Sequence, residues 1–228
     1  MNAALPVLVL ATSLLTALAI FPLPAARQRT RTIINLAGAL AKLLLVGIML
    51  EGVARGELYE TRIALLPGLD FLLRVDALSL LFLTLSAFLW LLTTIYAISY
   101  LGRGQDLSRF FGFFSLCVAA TTGIALSGTL ITFFIFYELL TLATWPLVVH
   151  RGTAESIAAG RRYLAYTLGG SAVLLVGMVW LESLTGPIEF ARPGQLAGVD
   201  PGTLKAIFWL LIAGLGVKTA MVPLHGWL

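Results

Sequence analysis

Long apolar runs, separated by short segments that carry most of the charges, dominate the pattern of this chain. A helix crosses a bilayer core about 30 Å thick with about 20 mostly apolar residues. The runs lack the alternation of polar and apolar positions that marks a membrane β-strand, and lipid tolerates only helices and closed barrels. The pattern therefore predicts seven helices, at residues 5–23, 33–52, 76–100, 110–126, 129–149, 157–181 and 204–223.

The composition supports this interpretation. Of all residues, 59% are hydrophobic and 11% are charged, whereas about 25% are charged in a typical soluble domain. We therefore predict an all-α, polytopic membrane helix bundle with one transmembrane domain over residues 1–228. The connections at 53–75 and 183–203 mix charges with Gly and Pro, so they are predicted to be loops. The first run has no basic residue before it and no clear cleavage site after it, and we expect no removed signal peptide.

Basic residues are distributed unequally between the two sides of the predicted bundle. The connections after the first, third and fifth helices carry Arg27, Arg29, Arg31, Arg103, Arg109, Arg151, Arg161 and Arg162. On the other side, acidic residues dilute Arg55, Arg62, Arg74, Arg192 and Lys205. The positive-inside rule then places the N-terminus outside and the C-terminus in the cytoplasm, in the cell (inner) membrane. The formal net charge of +4 requires no nucleic-acid partner.

Ionisable side chains inside apolar runs are the candidates for a functional site. Lys42, Glu138 and Lys218 lie well inside the runs, and Asp76 lies at the start of the third. A charged residue at a helix centre costs about 2.5 to 3.5 kcal/mol on insertion, so such residues usually face a bundle interior or a hydrated cavity.

Glu138 lies in "FFIFYELLTLATWPLVV", where Thr141 and Trp145 follow at helical spacing and share its face. The carboxylate, the hydroxyl and the indole N–H would then form one polar stripe in apolar surroundings. One interpretation is a structural glutamate that is hydrogen-bonded to a neighbouring helix. The other is a group that titrates or attracts cations.

Lys218 lies between two small residues and a proline, in "GLGVKTAMVPLHGWL". Gly214 and Gly216 permit close helix approach, and Pro223 removes a backbone hydrogen bond, so the seventh helix is predicted to break near Pro223. Broken helices mark ion pathways in transporters. The alternative is a lysine that snorkels to the interface. Paired with Glu138, Lys218 would be balanced between burial, which favours the neutral amine, and a carboxylate, which favours the ammonium. That balance is the chemistry of a proton relay.

The remaining polar candidates are weaker. Lys42 has little polar company in its own run and is open to three interpretations: a pathway residue, a snorkelling lysine or a subunit contact. Asp76 is predicted to be a helix N-cap. His150 and His225 titrate near neutrality and are candidate proton-entry groups or ordinary interfacial residues. Cys117 is the one cysteine, so we expect no disulfide, metal site or other cofactor in this chain.

Five stretches in order resemble one family: "RVDALSLLF", "RFFGFFSL", "FYELLTLATWPLV", "RRYLAYTLGGS" and "GLGVKTAMVPLHGWL". They resemble the antiporter-like subunits of proton-pumping NADH:quinone oxidoreductase, of membrane-bound hydrogenases and especially of Mrp-type sodium/proton antiporters (the D-type subunit). The resemblance implies that Glu138 and Lys218 form the charge pair of a half-channel and that His225 is the histidine after the seventh-helix proline. Arg74 and Asp76 match the family's third-helix start and are taken as structural.

The resemblance also implies a larger architecture than this chain holds. Family members have about fourteen helices in two inverted repeats, so only the N-terminal half is matched. Residues 1–108 would be the first three helices and residues 109–228 an incomplete first antiporter-like repeat. We expect either a fragment or a naturally split subunit, and no full transport by this chain alone.

The expected function is therefore ion translocation within a multisubunit membrane complex. The expected partners are other antiporter-like and small membrane subunits, the lipid bilayer, and protons, with sodium as an alternative exchanged ion. The alternative function is a non-transporting assembly subunit. The chain has no HExxH metal motif and no nucleotide-binding loop, so an intramembrane enzyme is not favoured. Any enzymatic role would be that of the membrane proton-pumping subunit of an oxidoreductase or hydrogenase complex.

Overall fold

A computed structural model describes residues 3–66, 69–102 and 106–228, and Arg103 lies outside these residues. Within these described ranges, six helices are long and apolar enough to cross a membrane, and α1 is a shorter apolar helix of 16 residues. The predicted all-α, polytopic fold is confirmed. The helices are α1 (Leu5–Ile20), α2 (Gln28–Ala54), α3 (Ala77–Leu101), α4 (Leu107–Leu126), α5 (Leu130–Val148), α6 (Ala154–Thr185) and α7 (Pro201–Lys218).

The connection between α2 and α3 contains a β-hairpin that the sequence analysis missed. Its strands are β1 (Glu60–Leu66) and β2 (Leu69–Arg74), which pair in a two-stranded sheet. Within it, Arg74 donates from Nε to the Glu60 carboxylate at 2.8 Å, and its Nη2 atom lies 2.6 Å from the same oxygen. The charged residues Glu60, Arg62, Asp70 and Arg74, which indicated a loop, therefore belong to a short ordered sheet.

Side-chain caps explain where several helices begin. Asp76 accepts a hydrogen bond from the Ser79 N–H at 2.7 Å at the start of α3, so the predicted N-cap is confirmed. Thr129, Thr153 and Asp200 accept from the third residue beyond them at the starts of α5, α6 and α7. Each cap satisfies a backbone donor that the first helical turn leaves unpaired.

Helix α7 ends at Lys218, five residues before Pro223. Ala220 adopts a positive φ of 54°. The Ala220 N–H donates to the Val217 carbonyl at 3.1 Å, and the Met221 N–H donates to the Gly216 carbonyl at 2.9 Å. This pair of bonds is a Schellman motif, which ends a helix without a proline. Helix α7 therefore ends five residues before the position near Pro223 where the break was predicted, and the immediate cause is this turn.

The chain forms two compact units. The first, called unit 1, comprises residues 1–63 and 72–127 and contains α1 to α4; the second, unit 2, comprises residues 64–71 and 128–228 and contains α5 to α7. In unit 1, Ala39, Trp90 and Val118 form a buried cluster between α2, α3 and α4. In unit 2, Tyr137, Leu174 and Met178 pack between α5 and α6 with residues of α7 against them.

Candidate ion-relay site

Close contact between α6 and α7 fixes the position of the α7 C-terminus in unit 2. A Cβ atom on Gly214 would lie 2.7 Å from the Leu174 nitrogen and 2.8 Å from the Gly170 carbonyl oxygen. A Cβ atom on Gly170 would lie 2.8 Å from the Val217 Cβ atom. Only glycine permits this approach of the two backbones, as the sequence pattern indicated for Gly214.

Lys218 is the last residue of α7 and reaches across to α5. Its Nζ atom donates to the Tyr137 carbonyl oxygen at 2.5 Å and lies 3.4 Å from the centroid of the Tyr137 ring. The Tyr137 hydroxyl in turn donates to the Gly214 carbonyl at 3.5 Å. The side chain is half-buried. The ammonium is therefore held by a main-chain dipole and an aromatic face, both of which stabilise a cation.

Glu138 follows Tyr137 directly on α5, so the fold brings both predicted relay residues to one place. The Oε1 atom of Glu138 is buried and has no hydrogen-bond partner within the described chain. Its carboxylate is close enough to act electrostatically on Lys218. The hydrogen bond of Lys218, however, goes to the neighbouring main-chain oxygen. The pairing of the two side chains stays a prediction.

The polar stripe predicted to follow Glu138 is only partly formed. Thr141 is fully buried, and its hydroxyl donates to the Tyr137 carbonyl at 3.2 Å. That carbonyl therefore accepts hydrogen bonds from both Thr141 and Lys218. Trp145 is 37% exposed, and its indole nitrogen lies where a Cβ atom on Gly160 would approach within 3.0 Å. The hydroxyl thus serves the Lys218 site through the main chain and makes no bond to Glu138.

The two histidines lie beyond the C-terminal ends of α7 and α5. His225 is exposed, in the turns that follow α7, and His150 directly follows the C-cap of α5. The same turns carry Trp227, whose Nε1 atom donates to the Val217 carbonyl at 2.7 Å and whose ring packs edge-on against Tyr163. The segment after α7 is thus attached by tryptophan, and the proton-entry role of the histidines stays a prediction.

Lys42 belongs to unit 1 and is fully buried there, with 0% exposure. Its Nζ atom donates to the Thr122 hydroxyl of α4 and lies 5.4 Å from the centroid of the Trp90 ring of α3. A snorkelling lysine would reach the interface, so that interpretation is wrong. The partners of the Lys42 ammonium therefore come from α4 and α3, and not from its own helix.

Several polar residues near these lysines escaped the sequence analysis. The Ser171 hydroxyl, next to Gly170, is buried without a hydrogen-bond partner among the described residues, and Tyr137 holds Lys218 through its main-chain carbonyl and its ring. Asn35, Ser115 and Thr122 are buried in unit 1. The spacing was the available signal, because Asn35 lies seven residues before Lys42 and Ser115 lies seven residues before Thr122. Within the described ranges, no three His, Cys, Asp or Glu side chains come together as metal ligands.

The fold and these sites define a class: a multi-pass membrane protein with ionisable side chains buried among its helices. Two family models match the sequence. "NADH:quinone oxidoreductase/Mrp antiporter, TM" matches residues 127–228, and "NADH-Ubiquinone oxidoreductase (complex I), chain 5 N-terminus" matches residues 68–111. The chain belongs to the family of antiporter-like membrane subunits, whose members occur in NADH-quinone oxidoreductases, Mrp antiporters and hydrogenases.

Individual relatives agree with this assignment. NADH-quinone oxidoreductase subunit N of Desulforudis audaxviator is 32% identical over 201 residues, which are 85% of this chain and 40% of the relative. The D-type subunit of the Na(+)/H(+) antiporter of Bacillus subtilis is 24% identical over 80% of this chain and 39% of the relative. The solved Mrp complex of Dietzia sp. contains a chain with a TM-score of 0.83 and 28% identity, covering all of this chain and 42% of its own length. This chain thus spans less than half the length of these relatives and matches their N-terminal region.

Proposed function

We propose that the chain is part of an ion-translocating subunit of a multisubunit membrane complex, with Glu138 and Lys218 as a proton relay. One observation carries the proposal: Lys218, at the C-terminal end of α7, contacts Tyr137, and the next residue, Glu138, has a carboxylate oxygen that is buried and unpaired among the described residues. The complex would lie in the cell (inner) membrane, with the N-terminus outside. Residues 109–228 would be an incomplete first antiporter-like repeat, and other antiporter-like subunits would be the partners.

The relay works by exchange of the contacts of Lys218. In one state the ammonium donates to the Tyr137 carbonyl, as it does here. In the other it turns to the neighbouring Glu138 carboxylate, whose negative charge stabilises the charged form. When the carboxylate partner is withdrawn, burial favours the neutral amine, and an N–H proton passes to a water molecule or a polar side chain. One side-chain movement thereby couples charge state to position.

Protons are the transported ion in this proposal, and exchange for sodium is the alternative, as the name of the Bacillus subtilis relative indicates for that protein. The energy would come from a redox reaction in partner subunits or from an existing gradient. This chain would not be catalytic alone. It would be the membrane subunit of a NADH:quinone oxidoreductase-like, hydrogenase-like or Mrp-like complex.

A second candidate function is that of a non-transporting assembly subunit. One observation favours it: a lysine bound to a main-chain carbonyl and an aromatic ring is also a means of attaching one helix to another. In that case Lys218 contributes to stability alone. The two functions differ in whether loss of the charge changes transport or changes assembly.

The decisive experiment replaces Lys218 in the full-length subunit within its assembled complex. Membrane vesicles with Lys218→Ala should assemble normally and lose most proton movement, followed with an internal pH dye with and without sodium. Lys205→Ala is the matched control, because Lys205 is an exposed lysine on the same helix. Normal transport in a correctly assembled Lys218→Ala complex would contradict the relay. A complex that fails to assemble would favour the structural function.

Glu138 provides an independent test of the same relay. Glu138→Gln retains shape and hydrogen bonding but removes the charge, so proton movement should fall strongly, whereas Glu138→Asp should retain part of it. Glu155→Gln, at an exposed acidic residue in the first turn of α6, should leave transport unchanged. Equal damage by Gln and Asp at residue 138 would show that position, and not charge, is what matters.

A further inference from the structure

Unit 1 contains buried polar side chains, aligned along two helices, that the relay in unit 2 does not use. On α2, Arg31, Asn35 and Lys42 recur at spacings of four and seven residues. On α4, Ser108, Ser115 and Thr122 recur every seven. All six are nearly or fully buried. Because these spacings keep side chains on one helix face, the six residues form two facing rows, here called the polar file.

Hydrogen bonds join the members of the polar file in two groups, one around Arg31 and Asn35 and one at Lys42. Arg31 donates from Nη1 to the Ser108 hydroxyl at 3.0 Å, and Asn35 donates to the Arg31 carbonyl at 3.1 Å. Ser115 donates to the Asn35 side-chain oxygen at 3.4 Å, and Lys42 donates to Thr122. Each level joins α2 to α4 or carries the row along α2. The file is therefore a built structure, and the pairing of its members is not a coincidence of burial.

The file is one-sided. Arg31 and Ser108 lie in the first turns of α2 and α4, so both helices begin at the same membrane face, which the basic residues predict to be cytoplasmic. From Arg31 to Lys42 the helix rises by about 16 Å, roughly half of a bilayer core. Beyond Lys42 the same face of α2 carries Val46 and Met49, both fully buried and apolar. The file ends at mid-membrane.

Lys42 has fewer hydrogen-bond partners among the described residues than its ammonium has donors. An ammonium has three donors, and among the described residues Thr122 is its hydrogen-bond partner, with the Trp90 ring beside it. No buried acidic side chain of unit 1 neutralises the charge within the described residues. The Trp90 Nε1 atom and the hydroxyl of Thr94, one turn further along α3, are buried without partners in the described ranges. Buried polar groups of this kind are normally hydrogen-bonded to internal water.

We propose that the polar file is a hydrated path, open at the membrane face where α2 and α4 begin, and that Lys42 at its inner end binds and releases protons through it. In the releasing step an N–H bond of the ammonium breaks and an O–H bond of a file water forms, which leaves a neutral amine and a hydronium ion. Binding is the reverse. This site lies within unit 1 and uses neither Glu138 nor Lys218, so its test does not depend on the outcome for the relay.

Single cysteines measure access along the file. Cys117 is the one native cysteine, so Cys117→Ser gives a background for Asn35→Cys, Lys42→Cys and Val46→Cys in the full chain in membrane vesicles. A small membrane-impermeant methanethiosulfonate reagent is added from each side in turn. Gln28→Cys marks the face at which α2 begins. Cysteines at residues 35 and 42 should react from that face at least about tenfold faster than a cysteine at residue 46. That ratio corresponds to a difference of about 1.4 kcal/mol in the free energy of reaching the thiol.

A second measurement keeps the native lysine, because a cysteine at residue 42 removes the group in question. The chain has three lysines, Lys42, Lys205 and Lys218, so ¹⁵N-lysine labelling gives three Nζ signals, assigned with Lys205→Arg and Lys218→Arg. In lipid bilayers, magnetisation should pass from water to Lys42 as it does to the exposed Lys205. A dry Lys42 signal would overturn the proposal. Reaction of residues 35 and 42 only from the opposite face, or no faster than residue 46, would overturn it as well.

Discussion

Lys42 and Lys218 show two ways in which this chain holds a lysine within membrane-length helices. Lys42 lies in the middle of α2, and a hydroxyl and an indole ring from other helices hold it. Lys218 is the last residue of α7 and reaches a main-chain carbonyl of α5, with a carboxylate that acts on it electrostatically. Among the described residues, the first site has cations without an acid, and the second has an acid beside its cation. The difference teaches that burial alone does not define the chemistry of a lysine.

The largest expected effect comes from a substitution that disrupts the Lys218 site and leaves the Lys42 site intact. Gly214→Ala places a Cβ atom 2.7 Å from the Leu174 nitrogen and 2.8 Å from the Gly170 oxygen, both backbone atoms that cannot rotate away. We expect a loss of about 3 kcal/mol in stability and loss of the Lys218 contact to Tyr137. Thermal unfolding in detergent measures the first, and the ¹⁵Nζ signal of Lys218 measures the second.

The control for this substitution is Gly169→Ala on α6, where a Cβ atom would meet nothing within 4 Å. It should leave the chain as stable as before or slightly more stable, since alanine favours helix. The Lys42 signal should be unchanged in both variants. A Gly214→Ala chain as stable as Gly169→Ala would show that α6 and α7 separate at little cost.

The next effect concerns the hydroxyl that holds Lys42. Thr122→Val preserves shape but leaves Lys42 without its hydrogen-bond partner, and we expect a loss of about 2 kcal/mol in the free energy of unfolding. The double variant Lys42→Met/Thr122→Val should recover most of that loss, because an apolar pair replaces a buried charge. Chemical denaturation of Thr122→Val, Lys42→Met and the double variant measures the coupling.

Thr121→Val is the matched control, because Thr121 is the adjacent residue and is less buried than Thr122. Within the described chain, its hydroxyl donates to the Val118 carbonyl and not to a lysine. It should change stability by less than Thr122→Val does. If Lys42→Met failed to rescue Thr122→Val, the hydroxyl would matter for α4 itself and not for the lysine.

A smaller effect divides the contacts of Lys218. Tyr137→Phe removes a hydroxyl whose bond to Gly214 is long, at 3.5 Å, and keeps the ring and the carbonyl. We expect a change below about 1 kcal/mol. Tyr137→Leu also removes the aromatic face and should cost about 1 kcal/mol more, the usual strength of a partly desolvated cation–π contact. Equal stability of the two variants would assign the Lys218 contact to the carbonyl alone.

The smallest effect is a dependence on pH at the start of the helix that carries Lys218. Hydrogen bonds from the Thr203 N–H and hydroxyl lower the pKa of Asp200 below its ordinary value. Because this pKa is lower in the folded chain, the Asp200 cap stabilises the fold above the ordinary pKa of Asp, about 3.9. That stability is lost as the pH falls through the pKa of the folded state. Helix α2, which carries Lys42, has no side-chain cap and no acidic residue in its first turn.

Circular dichroism between about pH 6 and pH 2 tests this dependence on Asp200. Asp200→Asn keeps a capping side chain but cannot titrate, so it should remove the Asp200 part of the acid-induced loss of helix. An acid response identical in the wild-type and Asp200→Asn chains would show that the cap adds nothing to pH stability.

The helices were predictable from sequence because membrane-length apolar runs leave few alternatives to a helix. Local chemistry also identified Asp76, since capping depends on residues three positions apart. The hairpin was missed because its strands carry the charges and small residues that also indicate loops. The company of Lys42 was missed for a different reason: its partners Thr122 and Trp90 lie on other helices, and one sequence does not show which faces meet. The contact between Lys218 and Tyr137 was missed because it uses a main-chain carbonyl, which every residue carries and which a sequence pattern therefore does not distinguish.

The seven-residue period of α4 restricts how its length can change in evolution. A helix turns by about 100° per residue, so seven residues make nearly two whole turns. A single insertion or deletion between Ser115 and Thr122 would rotate everything beyond it and carry the hydroxyl away from Lys42. A change of seven residues would restore the direction but displace the hydroxyl by about 10 Å along the helix. Relatives that retain a lysine at this place should therefore have an α4 of the same length up to the hydroxyl, however far their loops diverge.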